Sequence, residues 1–283
     1  MIFKTVKKCR KLLADITVQA EAYVGYFQFD APDLAEALGG LENKCVLDIG
    51  CGLSYPHVII FQCIGADVVG IDIELLKPNA RFRCLMKIAM QHGVRRALRD
   101  GVIACVFNPA LAQEIKRLMN ANKKIPPPDV REGDALNLDF ADNSFNLIYS
   151  HAVYEHIPDI GRALDEAKRV LAPGGIIRLG IHLYPSLTGG HTGKVGKLGC
   201  NVPPWDHLRE RTFPPTSYLN ELRENDYRKE IESKFDILKW IDCVREQDAE
   251  LLTEDLEREL AAKGYNRKEL LTETLVVHAR NPV

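Results

Sequence analysis

The sequence predicts an α/β protein: a doubly wound, mostly parallel sheet that carries a helical insert and an irregular lid. Three observations carry this expectation. Cys45 to Ser54, CVLDIGCGLS, leads an apolar strand into Asp48 and then into Gly50 and Gly52, where a buried strand has to turn into a helix. Short apolar runs then alternate with helical patterns as far as Ile181, which is how parallel strands and their crossovers read. Finally, the strand Asp67 to Ile71 ends in Asp72, 24 positions beyond Asp48. That is about the spacing at which nucleotide-binding units place a ribose-gripping carboxylate. Glycine at such a turn lets a ligand press against the main chain, so the three together imply an adenosine pocket.

The elements follow in order. Residues 1 to 27 mix Lys4, Lys7, Lys8, Arg10 and Lys11 with Val6, Leu12, Leu13 and Ile16, an amphipathic helix with a basic end. That end reads as a solvated face, with contact to a membrane surface or an anionic partner as the alternative. The aromatic cluster Tyr23, Tyr26, Phe27 and Phe29 either packs on the core or roofs a pocket. Asp30 is expected to cap a short second helix with Pro32 in its first turn, which Gly39-Gly40 ends. After the glycine turn, Ser54 to Gly65 is the first crossover helix. About 55 residues then separate Asp72 from the next strand signal, far more than one crossover needs. They read as a helical hairpin, an insert over 79–128, with helices near Asn79 to Leu98 and Pro109 to Asn122. The basic face Arg81, Arg83, Lys87, Arg95, Arg96 and Arg99 reads as solvated surface. Strands follow at Asp129 to Glu132 and Ser144 to Ser150. A helix at Asp159 to Leu171 is broken by Pro173-Gly174-Gly175, and a strand at Ile176 to Ile181 comes next. Residues 184–215 form the irregular lid. Thr216 to Ser233 is helical, Phe235 to Asp242 a strand, Asp248 to Lys263 and Arg267 to Leu271 helical, and Glu273 to Ala279 the last strand. The expected organisation is a single domain over 1–283 with an N-terminal cap over 1–42.

Composition narrows the function classes. At 283 residues with 46% hydrophobic side chains the chain can build an ordinary core. A net charge of -2 gives no electrostatic footprint for nucleic acid. The eight cysteines include no Cys-x-x-Cys pair and read as reduced thiols of a cytoplasmic protein. No run approaches the roughly 20 apolar residues of a membrane span, and no signal-peptide pattern is expected at the N-terminus.

In this order the motifs resemble the class I S-adenosylmethionine-dependent methyltransferases, over about residues 43 to 183. The matching pieces are Val46 to Gly52, Val69 to Asp72, Gly133 to Ala135, Phe145 to Ser150 with Glu155-His156, and Arg169 to Gly175. The resemblance implies a seven-stranded sheet of order 3-2-1-4-5-7-6 with the last strand antiparallel, S-adenosylmethionine as cofactor, and methyl transfer as the activity. Two departures stand out: Ser54 replaces a frequent third glycine, tolerable if Ser54 caps the next helix, and the insert after Asp72 is long. Carried over residue by residue, Asp48 would approach the methionine ammonium while Gly50 and Gly52 admit the ligand. Asp72 would hold the ribose hydroxyls. Ile73 would pack on adenine, Asp134 and the Ala135 N–H would hydrogen-bond it, and Ser150 would lie beside the methionine end.

Two rivals are weighed. A dehydrogenase fingerprint wants a third glycine at 55, which is Tyr55, and calls for no acid at Asp48. A non-catalytic adenosyl-binding scaffold would not need the histidines that cluster in segments expected at the open end of the sheet. Methyl transfer needs positioning, plus removal of a proton when the acceptor is a hydroxyl, and histidine is the natural base. The candidates are His191, His207, His182 and His156, with His151 nearby; Glu155-His156 also reads as structural. No metal is expected, because His182, His191 and His207 lack characteristic spacing. For the acceptor, Trp205, Asp206 and Arg209 suit a polyol, which favours O-methylation of a sugar. This stretch and Ser186 to His191 loosely resemble methyltransferases of bacterial glycan synthesis. An apolar aromatic or lipid acceptor under Tyr26 and its neighbours is the alternative.

Overall fold

The computed structural model describes residues 2–75, 86, 90, 106–121, 125–192 and 202–283, with side chains from residue 15 onward. The basic end Lys4 to Lys11, the insert helix near Asn79 to Leu98 with its basic face, and residues 193–201 of the expected lid therefore lie outside the described side chains. The chain divides into two compact units, Met1–Asp134 with Ser144–Ile148, and Ala135–Asn143 with Tyr149–Val283.

In the first unit, α1 (Ile2–Leu38) is one helix, not two. Ile16, Ala20, Val24, Phe27 and Leu34 form one buried stripe at helical spacing, and Asp30 is itself buried instead of capping a new helix. Burying that stripe outweighs the single hydrogen bond that Pro32 removes. The aromatic cluster splits around the helix. Tyr23 meets His57 edge-on at 5.6 Å and Phe27 meets Phe61 at 5.4 Å, while Tyr26 and Phe29 face outward.

Strand β1 (Cys45–Ile49) pairs in parallel with β2 (Asp67–Asp72), from Cys45 opposite Asp67 to Ile49 opposite Ile71. The connecting helix α2 (Pro56–Cys63) packs closely on β2. At Gly70 an added Cβ would sit 2.7 Å from the Val58 side chain and 2.9 Å from that of Cys51. Strand β3 (Asp129–Glu132) pairs in parallel on the other side of β2. Of the insert, α3 (Asn108–Leu118) is described, ending where Asn120 takes φ 51°.

In the second unit, α4 (Ile160–Val170) starts as expected, with Asp159 Oδ1 accepting from the Arg162 N–H at 2.9 Å. Strand β5 (Leu171–His182) begins earlier than the sequence suggested. Pro173-Gly174-Gly175 does not interrupt it, because the Gly174 N–H donates to Asn281 O and the Asn281 N–H to Gly175 O, both at 2.9 Å. Helix α5 (Glu224–Glu232) is shorter than predicted. The chain before it is held irregular by Asn220, whose Nδ2 donates to Tyr154 O at 2.7 Å and Ile157 O at 3.1 Å. The helix expected over Asp248 to Lys263 splits into a 3-10 turn, Glu246–Leu251, and α6 (Glu254–Ala262), with Thr253 as the cap. Helix α7 (Arg267–Leu271) leads into β7 (Thr272–Arg280), which is antiparallel to both β5 and β6 (Asp236–Val244). With β4 (Phe145–His151), the order is β3-β2-β1-β4-β5-β7-β6, as expected. No helix among the described residues is long and apolar enough to cross a membrane.

Candidate active site

The glycine turn of the first unit is built around Asp72. Its Oδ2 accepts from the Gly52 N–H at 2.9 Å and its Oδ1 from the Glu74 N–H at 3.0 Å. A carboxylate has about four acceptor positions, so two backbone bonds fix its orientation and leave capacity for hydroxyl donors. Gly50 and Gly52 adopt φ of 77° and 69°, and the space where a Cβ of Gly52 would point is open. The N–H groups of Gly50 and Cys51 both donate to Ile71 O, tying β1 to β2 at the turn.

The turn also has a defined field. Burial pushes the Cys51 thiol far above its ordinary range, and the carboxylates of Asp48 and then Asp72 push it the same way. Two carboxylates acting on one buried thiol make the turn electronegative, which suits a cationic ligand and opposes a pyrophosphate. Tyr55, in the place of a dinucleotide fingerprint's third glycine, takes the left-handed conformation at the start of α2. Ser54 does not cap that helix. Its hydroxyl donates to Asn108 Oδ1 at 2.9 Å, and Asn108 Nδ2 donates to Leu53 O at 2.7 Å. Asn108 thus braces the turn from α3; a lone asparagine 54 positions beyond Ser54 gives no local signal of this in the sequence.

The other cofactor candidates are placed as follows. Asp48 is buried on β1. Ile73 is 68% exposed beside Asp72, an apolar side chain free to cover a flat ring. Asp134 follows Gly133, whose N–H donates to Asp72 O at 3.1 Å. Ala135 and Ser150 belong to the second unit. Ser150 is buried, and its carbonyl accepts from Arg178 Nη1 at 3.0 Å. Arg178 is itself buried, near His151 Nδ1 at 3.3 Å and 4.6 Å from the centre of the Tyr149 ring; in the sequence it was one charge in an apolar strand.

The histidines of the second unit separate into two kinds. His182, at the end of β5, and His191 form a pair, Nδ1 to Nε2, at 2.8 Å. His156 stands edge-on to His191, ring centres 4.9 Å apart, with its Nδ1 donating to Tyr218 O at 2.7 Å. Burial brings His182 down to about 4, helped by the His156 and Arg245 charges, and brings His191 to about 4, helped by His182 and His156. Glu155 is 2% exposed beneath them. Burial raises its carboxyl to about 8, opposed by the backbone N–H groups of Glu155 and His182. Ligand atoms of Glu155, His182 and His191 all lie within 4.8 Å of one another. From the sequence no metal site was expected, the set His182, His191 and His207 lacking characteristic spacing; the structure brings Glu155, not His207, beside the histidine pair.

His207 is locked. Its Nε2 donates to Tyr184 O at 2.8 Å, and its ring lies on Gly190, where a Cβ would be 2.6 Å from the imidazole Cγ. Burial brings it to about 4 as well, with the Tyr184 carbonyl opposing. The three polyol candidates are also occupied. Trp205 is fully buried with Leu187, Leu208, Leu252 and Leu260, and its Nε1 donates to Pro185 O at 3.1 Å. Asp206 is buried and accepts from the Phe213 N–H at 3.0 Å. Arg209 pairs with Glu259 on α6 at 2.9 Å. Trp205 therefore packs a core and offers no face to a sugar. Because the Arg209–Glu259 pair is partly exposed, Arg209→Ala is expected to lower stability by under about 1 kcal/mol in urea denaturation.

Comparison with known proteins agrees with the geometry. A methyltransferase domain family matches residues 90–179. A sterol 24-C-methyltransferase of Aspergillus fumigatus is 28% identical over 143 residues, 50% of this chain and 29% of that protein. An uncharacterised methyltransferase of Mycobacterium bovis is 23% identical over 197 residues, 68% of this chain and 80% of the other. The 2-methyl-6-phytyl-1,4-hydroquinone methyltransferase of Synechocystis is 27% identical over 147 residues, 49% of this chain and 33% of that one. Among solved structures, an S-adenosylmethionine-dependent methyltransferase of Methanosarcina mazei covers 86% of this chain and 94% of its own, with TM-score 0.48 and 18% identity. The chain thus spans 29% of the length of the sterol relative. Beside the strand order and the aspartate-braced glycine turn stands similarity to methyltransferases over part of the chain, which supports an S-adenosylmethionine-dependent methyltransferase enzyme.

Proposed function

We propose that this protein methylates a hydroxyl group of a small molecule. The observation that carries the proposal is Asp72, held by two backbone N–H groups at an electronegative glycine turn with open space over Gly52. Asp72 holds the ribose hydroxyls, Ile73 and Asp134 receive the adenine, and Asp48 offsets the positive charge of the methionine end. When bound, S-adenosylmethionine supplies an activated methyl group on a sulfonium. The chain's own work is then to orient the acceptor and take up its proton. Glu155, His182 and His191 do this in the second unit, and the chain works as a single catalytic domain. His156, against His191, orients that ring.

The acceptor we favour is a sugar or another small hydroxyl compound, as the polar cluster suggests. A second reading, an apolar ring bearing a hydroxyl, is supported by the exposed Tyr26 and Phe29 on α1, with sterol and hydroquinone methyltransferases among the relatives. The test is transfer of labelled methyl from S-adenosylmethionine to a panel of monosaccharides, hydroquinones and sterols. Activity confined to the sugars supports the first reading, and activity confined to the rings replaces it. In His191→Ala we expect turnover to fall about 100-fold or more, within the range for general-base groups, with S-adenosylhomocysteine affinity unchanged. Full activity in that variant removes His191 from the mechanism. Cofactor binding without transfer to any acceptor would favour the scaffold.

A further inference from the structure

We propose that Glu155, His182 and His191 bind a divalent first-row transition-metal cation, leaving coordination positions open to the oxygen of the acceptor. The proposal rests on the reading above that this cluster orients the acceptor and takes up its proton, and it names what activates the hydroxyl.

Glu155 makes the first argument. Both of its carboxyl oxygens are buried, and although the Glu155 and His182 N–H groups lie near enough to act on it electrostatically, neither oxygen has a hydrogen bond of good geometry among the described residues. A polar carboxyl group taken out of water without a well-formed hydrogen bond is costly, and native structures retain such groups where something else satisfies them. Its oxygen lies within 4.8 Å of one ring nitrogen each of His182 and His191.

The histidines make the second. Thr188 Oγ1 donates its one hydrogen to Glu273 Oε1 at 3.0 Å, so at 2.8 Å from His182 Nε2 it can only accept. His182 therefore carries its proton on Nε2 and presents a bare lone pair at Nδ1. That lone pair faces His191 Nε2 at 2.8 Å. With His191 in its Nδ1–H form, two lone pairs face one another, and a Glu155 oxygen lies within 4.8 Å of a ring nitrogen of each histidine. Zinc–nitrogen bonds of ~2.0–2.1 Å place two imidazole nitrogens roughly 3.4 Å apart in tetrahedral geometry, so binding requires the pair to open by only about half an ångström. The chain His182–Thr188–Glu273 is the outer support that metal-ligating histidines usually have. Arg245 pairs with Glu273 at 2.5 Å and fixes that chain's far end.

The backbone makes the third. His191 sits at φ 47°, a strained conformation for a side chain of its size. It is pinned there by its N–H to Thr188 O at 3.0 Å and by the N–H and hydroxyl of Thr216 donating to its carbonyl at 3.2 and 2.9 Å. Three hydrogen bonds thus hold a strained residue so that its ring meets His182. Two imidazoles and one carboxylate form a set that takes zinc or iron(II) in preference to magnesium or calcium.

The test is calorimetric titration of chelator-treated full-length protein with zinc chloride, with melting temperature followed in parallel. One zinc per chain is expected, together with a rise in melting temperature. Glu155→Gln and His191→Ala should each lose this binding by at least 100-fold, and Thr188→Val should weaken it by about 10- to 100-fold, as for other outer-shell partners. Cys63→Ser, a substitution in the first unit, should retain it. Glu155→Gln is nearly isosteric and should fold at least as well as the parent without metal, so its loss of binding is not unfolding. No zinc binding, or binding that survives both ligand variants, overturns the proposal. S-adenosylhomocysteine titrated into the same samples separates the two readings: cofactor binding without zinc sinks the metal alone, and zinc binding without cofactor sinks the methyl-transfer reading.

Discussion

Trp205→Ala is expected to destabilise the second unit by about 3–5 kcal/mol, the range for removing a large aromatic from a closed core. The residue is wholly inaccessible, surrounded by leucines, and starts a short 3-10 turn, Asp206–Leu208, from a left-handed backbone conformation. Two further contributions are lost with the indole: the hydrogen bond from Nε1 to Pro185 O, and the support of the turn in which Asp206 accepts from Phe213. Trp205→Phe keeps most of the apolar volume and forfeits the hydrogen bond, so its effect should be clearly smaller. Urea denaturation of both variants checks this. A residue that stacked on an acceptor instead would leave the Trp205→Ala midpoint where it was and weaken only acceptor binding, and that result would return Trp205 to the substrate site.

Asp72→Ala should weaken binding of S-adenosylhomocysteine by about 1–3 kcal/mol, the range for losing hydrogen bonds to a charged group, or roughly 5- to 150-fold in Kd. Part of the loss is direct, because the ribose hydroxyls no longer find an acceptor. The rest is structural, since the Gly52 and Glu74 N–H groups lose the carboxylate that orients the turn. Asp72→Asn is informative for the same reason. One backbone N–H bonds each carboxylate oxygen, and an amide must turn a donor toward one of them, so Asn should recover only part of the affinity. Calorimetry of the three proteins measures this directly. Unchanged affinity in Asp72→Ala would place the ribose elsewhere, and binding of NAD in preference to the adenosyl ligands would overturn the domain assignment.

What the sequence determined by itself is the local grammar of the sheet and its ligand turn. Strand β3 falls where it was expected, and β1, β2 and β4 do so within a residue or two, because a buried parallel strand is a short apolar run and its end is written in glycine and aspartate. The turn that Gly50, Gly52 and Asp72 build was legible because all of it lies within 25 residues. Local rules failed where a distant partner decides the outcome. Pro173-Gly174-Gly175 reads as a breaker until Asn281 pairs with it. Asp30 reads as a cap until the stripe from Ile16 to Leu34 is buried across it. Trp205, His207 and Arg209 have the chemistry of a binding site, and only packing against α6, Gly190 and Tyr184 shows that each is already engaged. The same holds for Glu155, His182 and His191. Their spacing of 27 and 9 residues matches no motif; the end of β5 and a strained turn at His191 bring three ligating groups together, which tertiary structure alone can do.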